Sequence, residues 1–363
     1  MKKRLYSLDF IRAVATILIF TFHFNMGTEE APRRVYNTAL FFKNTDFGSV
    51  GVSLFFVLSG CALIYSEKNS FSIKQFYKKR IVALFPMFYI AYILCRFLVE
   101  VFTPHLYNGI PWKYFILTVF GMDGFLSYRL PNFYVTGEWF LGCIIVFYIL
   151  YPLIRWCVKK IPVIFAIAII ALNLYTNNHY IFQMPIIWNP LIRVMEFTFG
   201  IYCAQYLFPL FEKRAEMTDM VKKNAWTVLG LVISGGIAAF LLWGNRAYFP
   251  VPYMTMVGLC GCSVFLLLYF VSDYLTIMPV KKVVVFLSTY SFAIYLVHHE
   301  IDFILYAYFA QMELSWRHLF AIYILFILMI CLLGVFLQKL TRYCTEGVRV
   351  LKQYCIEKCS SNE

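Results

Sequence analysis

Charge is scarce in this chain of 363 residues. Asp, Glu, Lys and Arg together make up 14%, against about a quarter in a soluble domain. No long polar stretch interrupts the sequence, which excludes a tethered soluble domain. Internal repeats and low-complexity tracts are lacking, and so are the paired Gly- or Pro-broken segments common in inverted-repeat transporters. The opening MKKR resembles the basic region of a secretory signal, yet no A-x-A-like cleavage site follows it. The apolar run behind it carries Arg12 and His23, so it is expected to stay as a membrane helix. The eleven cysteines show no zinc-site spacing, and no metal is expected. Eight lie in apolar segments, where Cys behaves as a small hydrophobe. Cys344, Cys355 and Cys359 lie in a tail expected in the reducing cytoplasm, where disulfides do not persist.

Apolar residues are abundant: 61% of the chain is hydrophobic and 20% aromatic. The apolar runs predict an all-α polytopic membrane protein of about ten spans. These fall near 8–24, 50–65, 81–101, 140–154, 161–175, 191–209, 225–243, 253–271, 283–299 and 318–337. Residues 1–340 form the expected membrane domain, and residues 341–363 a short basic tail. With the first residues inside, the cytoplasmic segments hold 22 of the 32 Lys and Arg residues. That asymmetry obeys the positive-inside rule and puts both termini in the cytoplasm. The net charge of +13 is spread from loop to loop and gathered on no one surface, which argues against a nucleic-acid partner. The outer segment 102–139 is rich in aromatics and is expected in the membrane interface or re-entering the bilayer.

The first span carries a polar stripe. At 100° per residue, Asp9, Thr16 and His23 drift only about 20° per seven residues, and Arg12 sits one turn above Asp9. A charge at mid-helix costs about 2.5–3.5 kcal/mol on the insertion scale, so a retained ionic stripe points to use. Arg12 falls near the inner end and His23 near the outer end, roughly 16 Å apart along the axis. Other ionisable groups collect toward the outer half: Arg96 with Glu100, Glu138 beside Trp139, Arg193 with Glu196, and His298, His299 and Asp302 at the end of the ninth span. Internal salt bridges account for Arg96–Glu100 and Arg193–Glu196 as readily as function does. His23 is the best candidate base, because a neutral imidazole takes a proton from a hydroxyl near neutral pH. Glu138 and Glu196 are both available to orient it. On the inner side, Lys78, Lys79 and Arg80 precede the third span, either as positive-inside anchors or as a phosphate seat.

Five segments resemble the acyltransferase-3 family of bacterial integral-membrane O-acyltransferases, over nearly the whole chain. LDFIRAVATILIFTFHF resembles its Arg, ten residues, His signature at Arg12 and His23. GVSLFFVLSGCALIY resembles its second span, and KKRIVALFPMFY stands where the family has Arg-x-x-Arg ahead of Leu-x-Pro. EWFLGCIIVFYILYPL and STYSFAIYLVHHE resemble its Trp-x-Leu and Ser-x-x-x-Tyr-Leu-x-His segments. Two positions depart from the pattern. Ala83 replaces the second Arg of Arg-x-x-Arg, with Lys78 and Lys79 as the other nearby charges. Gly142, Cys143 and Ile144 stand where many members carry a Glu, leaving Glu138 as the carboxylate in that region.

The resemblance implies a bacterial cytoplasmic-membrane enzyme in contact with lipid. It implies His23 as catalytic residue, with Arg12 on a donor path and the donor's phosphates near Arg80, Lys78 and Lys79. Trp139, Arg193, Glu196 and His298 are the acceptor-side candidates. The donor is expected to be acetyl-CoA, used as a co-substrate with no bound cofactor. The acceptor is expected to be a hydroxyl of a surface polysaccharide, such as an exopolysaccharide or capsule, or of its lipid-linked precursor. O-succinyl transfer is the alternative within the class, favoured by an arginine facing the site. A glycan or lipid transporter is the alternative outside it. The sequence sets no oligomeric state.

Overall fold

The computed structural model of the protein describes residues 5–29, 42–67, 71–102, 109–215, 220–309, 312 and 314–360. Among them there is no β-strand. The helices are α1 (Tyr6–Glu29), α2 (Phe47–Tyr65), α3 (Ile73–Phe102), α4 (Phe115–Val119), α5 (Asp123–Leu126), α6 (Trp139–Lys160) and α7 (Pro162–Asn178). They continue with α8 (Pro190–Tyr202), α9 (Phe208–Ala215), α10 (Met220–Trp243), α11 (Tyr253–Val271), α12 (Met278–Phe309) and α13 (Trp316–Ser360).

Each apolar run read from the sequence coincides with a helix. Eight of these helices are long and apolar enough to cross a bilayer: α1, α2, α3, α6, α10, α11, α12 and α13. The fifth run forms α7, which has 17 residues. The sixth is divided into α8, a π-helical turn at Cys203–Leu207, and α9. The protein is an all-α, multi-pass membrane protein.

Helix ends depart from the apolar runs, because hydropathy marks the lipid-facing stretch and helical hydrogen bonding continues into water. α3 begins at Ile73, so Lys78, Lys79 and Arg80 are helical. α12 continues past the ninth run to Phe309, which puts His298 and His299 inside a helix and not at its end. α13 runs without a break to Ser360, so residues 341–360 are helical and continuous with the last span. An i,i+4 pair between Arg342 and Glu346, 2.9 Å apart, supports the extension. The seven cysteines Cys61, Cys95, Cys143, Cys157, Cys203, Cys260 and Cys262 are buried and free, consistent with packing as small hydrophobes.

α2 lies at the centre, packed against α1, α8 and α11. A Cβ on Gly60 would stand 1.9 Å from the Phe197 carbonyl oxygen, and one on Gly200 1.9 Å from that of Val57. Only glycine permits the two backbones to touch, the small-residue packing that drives helix association in membranes. α3, α10 and α13 turn apolar side chains outward, among them Ile93, Val232 and Leu332. Just beyond α2, Glu67 accepts hydrogen bonds from Arg155 (2.5 Å), Tyr151 (2.6 Å) and Lys159 (3.1 Å) of α6. Burial pushes its carboxyl up, but these three donors outweigh that effect and hold it below the usual carboxylate range.

The aromatic outer segment folds into α4 and α5, with α5 packed on α6. Tyr92 donates to the Phe133 carbonyl at 2.9 Å, and Thr136 donates to that of Leu296, which anchors the strap to α3 and α12. Asp123 of α5 is 1% exposed. Burial pushes its carboxyl from 3.8 up to about 6.

Two predictions follow from these contacts. Gly60→Val forces α2 and α8 apart and is expected to cost about 1–3 kcal/mol, read as a lower midpoint of heat unfolding in detergent. A wild-type midpoint would refute the close crossing. The folded form keeps the Asp123 proton over a range where the unfolded chain has released it, so stability falls as pH rises from about 4 to about 6. Asp123→Asn should remove that fall and raise the unfolding midpoint at pH 7. An unchanged pH profile would show that Asp123 does not titrate in this range.

Candidate active site

The polar stripe of α1 divides into supports and site residues. Arg12 Nη1 donates to Ser288 Oγ at 3.2 Å, and Ser288 Oγ donates to Asp9 Oδ1 at 2.7 Å. Arg12 Nη1 lies 3.7 Å from the same Asp9 oxygen. Thr16 Oγ1 donates to the Arg12 carbonyl at 2.8 Å. Asp9 is thus taken up in holding this part of α1 against α12, and Thr16 in a bond within α1. Arg12 itself lines a cavity of about 290 Å³ together with Arg80, Ser59, Tyr148 and Ser291. Of the three basic residues that open the third span, only Arg80 reaches this cavity, its guanidinium 5.7 Å from the Tyr148 ring. Lys78 and Lys79 are exposed and do not line it, whereas Ala83 does.

His23, Glu138, Trp139 and Arg193 line a second cavity of about 290 Å³, with Asp46 and Tyr253. Glu138 stands at the N-cap position of α6, but its side chain makes no capping bond. Gly137 before it has φ +78°, a conformation that favours glycine, and a Cβ there would meet Leu141 and Phe88. The turn leaves the carboxylate beside two imidazoles. Glu138 Oε2 is 3.7 Å from His23 Nε2, and Glu138 Oε1 is 3.5 Å from His298 Nε2. Both exceed hydrogen-bond length; catalytic contacts are often long before substrate binds. His298 Nδ1 pairs with the Tyr295 carbonyl at 2.8 Å, which turns Nε2 toward Glu138. The His23 ring lies 5.0 Å from that of His298 and 4.7 Å from that of His299.

Arg193 and Glu196 form an ion pair at 2.8 Å, each 1% exposed. Ser53 Oγ donates to Glu196 at 2.9 Å, and Arg193 Nε donates to the Ile187 carbonyl at 2.9 Å. Arg193 faces the cavity, 5.8 Å from the Trp139 ring, which in turn stacks on Trp188 at 6.2 Å. Glu196 does not line the cavity and serves as the counter-ion of Arg193. Of the two carboxylates available to orient His23, it is Glu138 that lies beside it. Arg96 and Glu100 pair at 2.7 Å and line neither cavity.

The two cavities share three lining residues, Phe55, Phe140 and Tyr295. Phe140 packs against both others, at 6.1 Å from Phe55 and 5.6 Å from Tyr295. The sequence singled out His298 but not His299 as a site residue. His23, Glu138 and His299 bring one ligand atom each to within 4.8 Å of one another, a spacing that two nitrogens and an oxygen could use to hold a divalent cation. Tyr295, Ser59, Tyr148 and Ser288 were also passed over. The available signal was their place inside the segments that carry the family resemblance, Ser59 in GVSLFFVLSGCALIY, Tyr148 in EWFLGCIIVFYILYPL, and Ser288 and Tyr295 in STYSFAIYLVHHE.

Residues 5–338 match the family described as "Acyltransferase domain". The chain is 26% identical to "Acyltransferase MdmB" of Streptomyces mycarofaciens over 321 residues, covering 81% of this chain and 78% of that protein. No solved structure matches. With its polar cavities set in a multi-pass bundle, the chain belongs to the acyltransferase-3 family and is a membrane acyltransferase.

Proposed function

We propose that the protein moves an acetyl group from acetyl-CoA to a hydroxyl of a cell-surface polysaccharide or its lipid-linked precursor, in the cytoplasmic membrane of a bacterium. The observation that carries this reading is the pair of cavities meeting at three rings, one walled by Arg12 and Arg80 and the other by His23 and Glu138. Guanidinium groups suit the phosphates of a CoA donor arriving from the cytoplasm. An imidazole beside a carboxylate suits the activation of a hydroxyl. Trp139, stacked on Trp188, offers aromatic surface to a sugar ring.

In the reaction, the acceptor hydroxyl oxygen bonds to the thioester carbonyl carbon and gives its proton to His23. The carbonyl π pair moves onto oxygen. When it returns, the C–S bond breaks, and the CoA sulfur leaves with the C–S bonding pair and takes up the proton from His23. An Nε2–H of His23 donated to Glu138 leaves Nδ1 as the basic nitrogen. The acyl group crosses the boundary between the cavities, while donor and acceptor each stay on their own side.

Two observations favour this reading over its rivals. The charge of Arg193 is already matched by Glu196, which favours a neutral acetyl over an acidic succinyl group. The rings of Phe55, Phe140 and Tyr295 separate the cavities, which favours handing a small group across over passing a whole glycan or lipid as a transporter would.

His23→Ala is expected to lower incorporation of labelled acetyl from acetyl-CoA into membrane glycans by about 10²–10⁴-fold. Glu138→Gln should give a smaller loss, since the amide oxygen remains an acceptor for His23 when the 3.7 Å contact closes on substrate binding. Wild-type incorporation by His23→Ala at normal expression would sink the base assignment. Incorporation should also survive EDTA. Loss on chelation, restored by Zn²⁺, would reassign His23, Glu138 and His299 as metal ligands.

A further inference from the structure

We propose that Tyr295 is a catalytic residue, whose phenolic hydroxyl stabilises the oxyanion formed at the thioester carbonyl. The inference rests on the reading of the two cavities as donor and acceptor chambers. The carbonyl carbon must bond to an oxygen held in one chamber while it still carries sulfur from the other. It therefore reacts at their boundary. Only three residues line both chambers, and Phe55 and Phe140 offer no hydrogen-bond donor. Tyr295 supplies the one polar side chain among them.

The placement of Tyr295 suits that role. Its hydroxyl is shielded from solvent, and among the described residues its O–H has no acceptor; the polar group facing it is the Leu141 backbone N–H, itself a donor. A buried O–H left without an acceptor is a cost that the fold does not recover by itself. A donor held ready for charge that develops only in the transition state recovers it during catalysis. The ring is fixed from two sides, by Phe140 at 5.6 Å and Phe292 at 6.2 Å. The same residue's carbonyl holds His298 Nδ1 at 2.8 Å, and the two rings lie 6.1 Å apart. One turn of α12 thus links the oxyanion donor to the imidazole that contacts Glu138, while Glu138 lies beside His23. As the hydroxyl oxygen attacks, the π pair of the carbonyl collects on its oxygen, and the Tyr295 O–H hydrogen bonds to it. That bond weakens again when the C–S bond breaks, and Tyr295 keeps its own proton throughout.

The test compares wild type, Tyr295→Phe and a form carrying 3-fluorotyrosine at position 295, in membranes supplied with labelled acetyl-CoA. Tyr295→Phe is expected to lower apparent kcat by about 10²-fold, with apparent KM for acetyl-CoA and protection by acetyl-CoA against heat unfolding unchanged. The fluorinated phenol is a stronger donor and should restore kcat to the wild-type level or above. Wild-type kcat in Tyr295→Phe would overturn the inference, and so would a raised KM with kcat retained. A fluorinated form as slow as Tyr295→Phe would overturn it too. Failure of the wild-type protein to transfer label would instead count against the acetyl-CoA reading on which the proposal rests.

Discussion

Backbone contact between α2 and α8, possible because Gly60 and Gly200 lack side chains, sets the depth at which Ser53 and Glu196 meet. Glu196 then fixes Arg193 from one side and the Ile187 carbonyl fixes it from another. The guanidinium is left with one direction open, across Phe56 and Trp139, each 5.8 Å away. A wall of the cavity that His23 lines is in this way determined by a contact between two main chains. Burying such a pair is costly, and breaking it by removing one partner typically costs about 3–5 kcal/mol. The pair is tolerated because Ser53 and a carbonyl satisfy the remaining polar atoms.

Charge in the bundle is sorted by type. One cavity holds the guanidinium groups of Arg12 and Arg80. The other, lined by His23, sets an imidazole beside the Glu138 carboxylate. Fixed charge suits holding an anion, and titratable groups suit moving a proton. Between the cavities stand the aromatic rings of Phe55, Phe140 and Tyr295, which line both. α1 and α12 serve both cavities, α1 through Arg12 and His23, and α12 through Ser291 and Tyr295.

Much of this was legible in the sequence, for identifiable reasons. Hydropathy located the membrane helices because lipid leaves the backbone no hydrogen-bonding partner but itself. Helical period put Arg12 and His23 on one face of α1, and both line cavities. The meeting of Glu138 with His23 and His298 joins residues more than a hundred positions apart, so no local pattern encodes it. Lys78, Lys79 and Arg80 look alike as a basic run. Only the helical phase of α3, which begins earlier than its apolar stretch, sends Arg80 alone into the cavity. The role of Glu196 was hidden by its closeness to Arg193 in sequence, which fits a site pair and an internal counter-ion equally well.

The length of α13 has a geometric consequence. Its 45 residues span roughly 68 Å at 1.5 Å per residue, while a bilayer with its headgroups is about 40–45 Å thick. Some four turns of helix therefore stand clear of the lipid as a rigid mast. Whatever meets residues 341–360 does so at a set height above the membrane and in a set rotational phase with the helix that packs against α3 and α12.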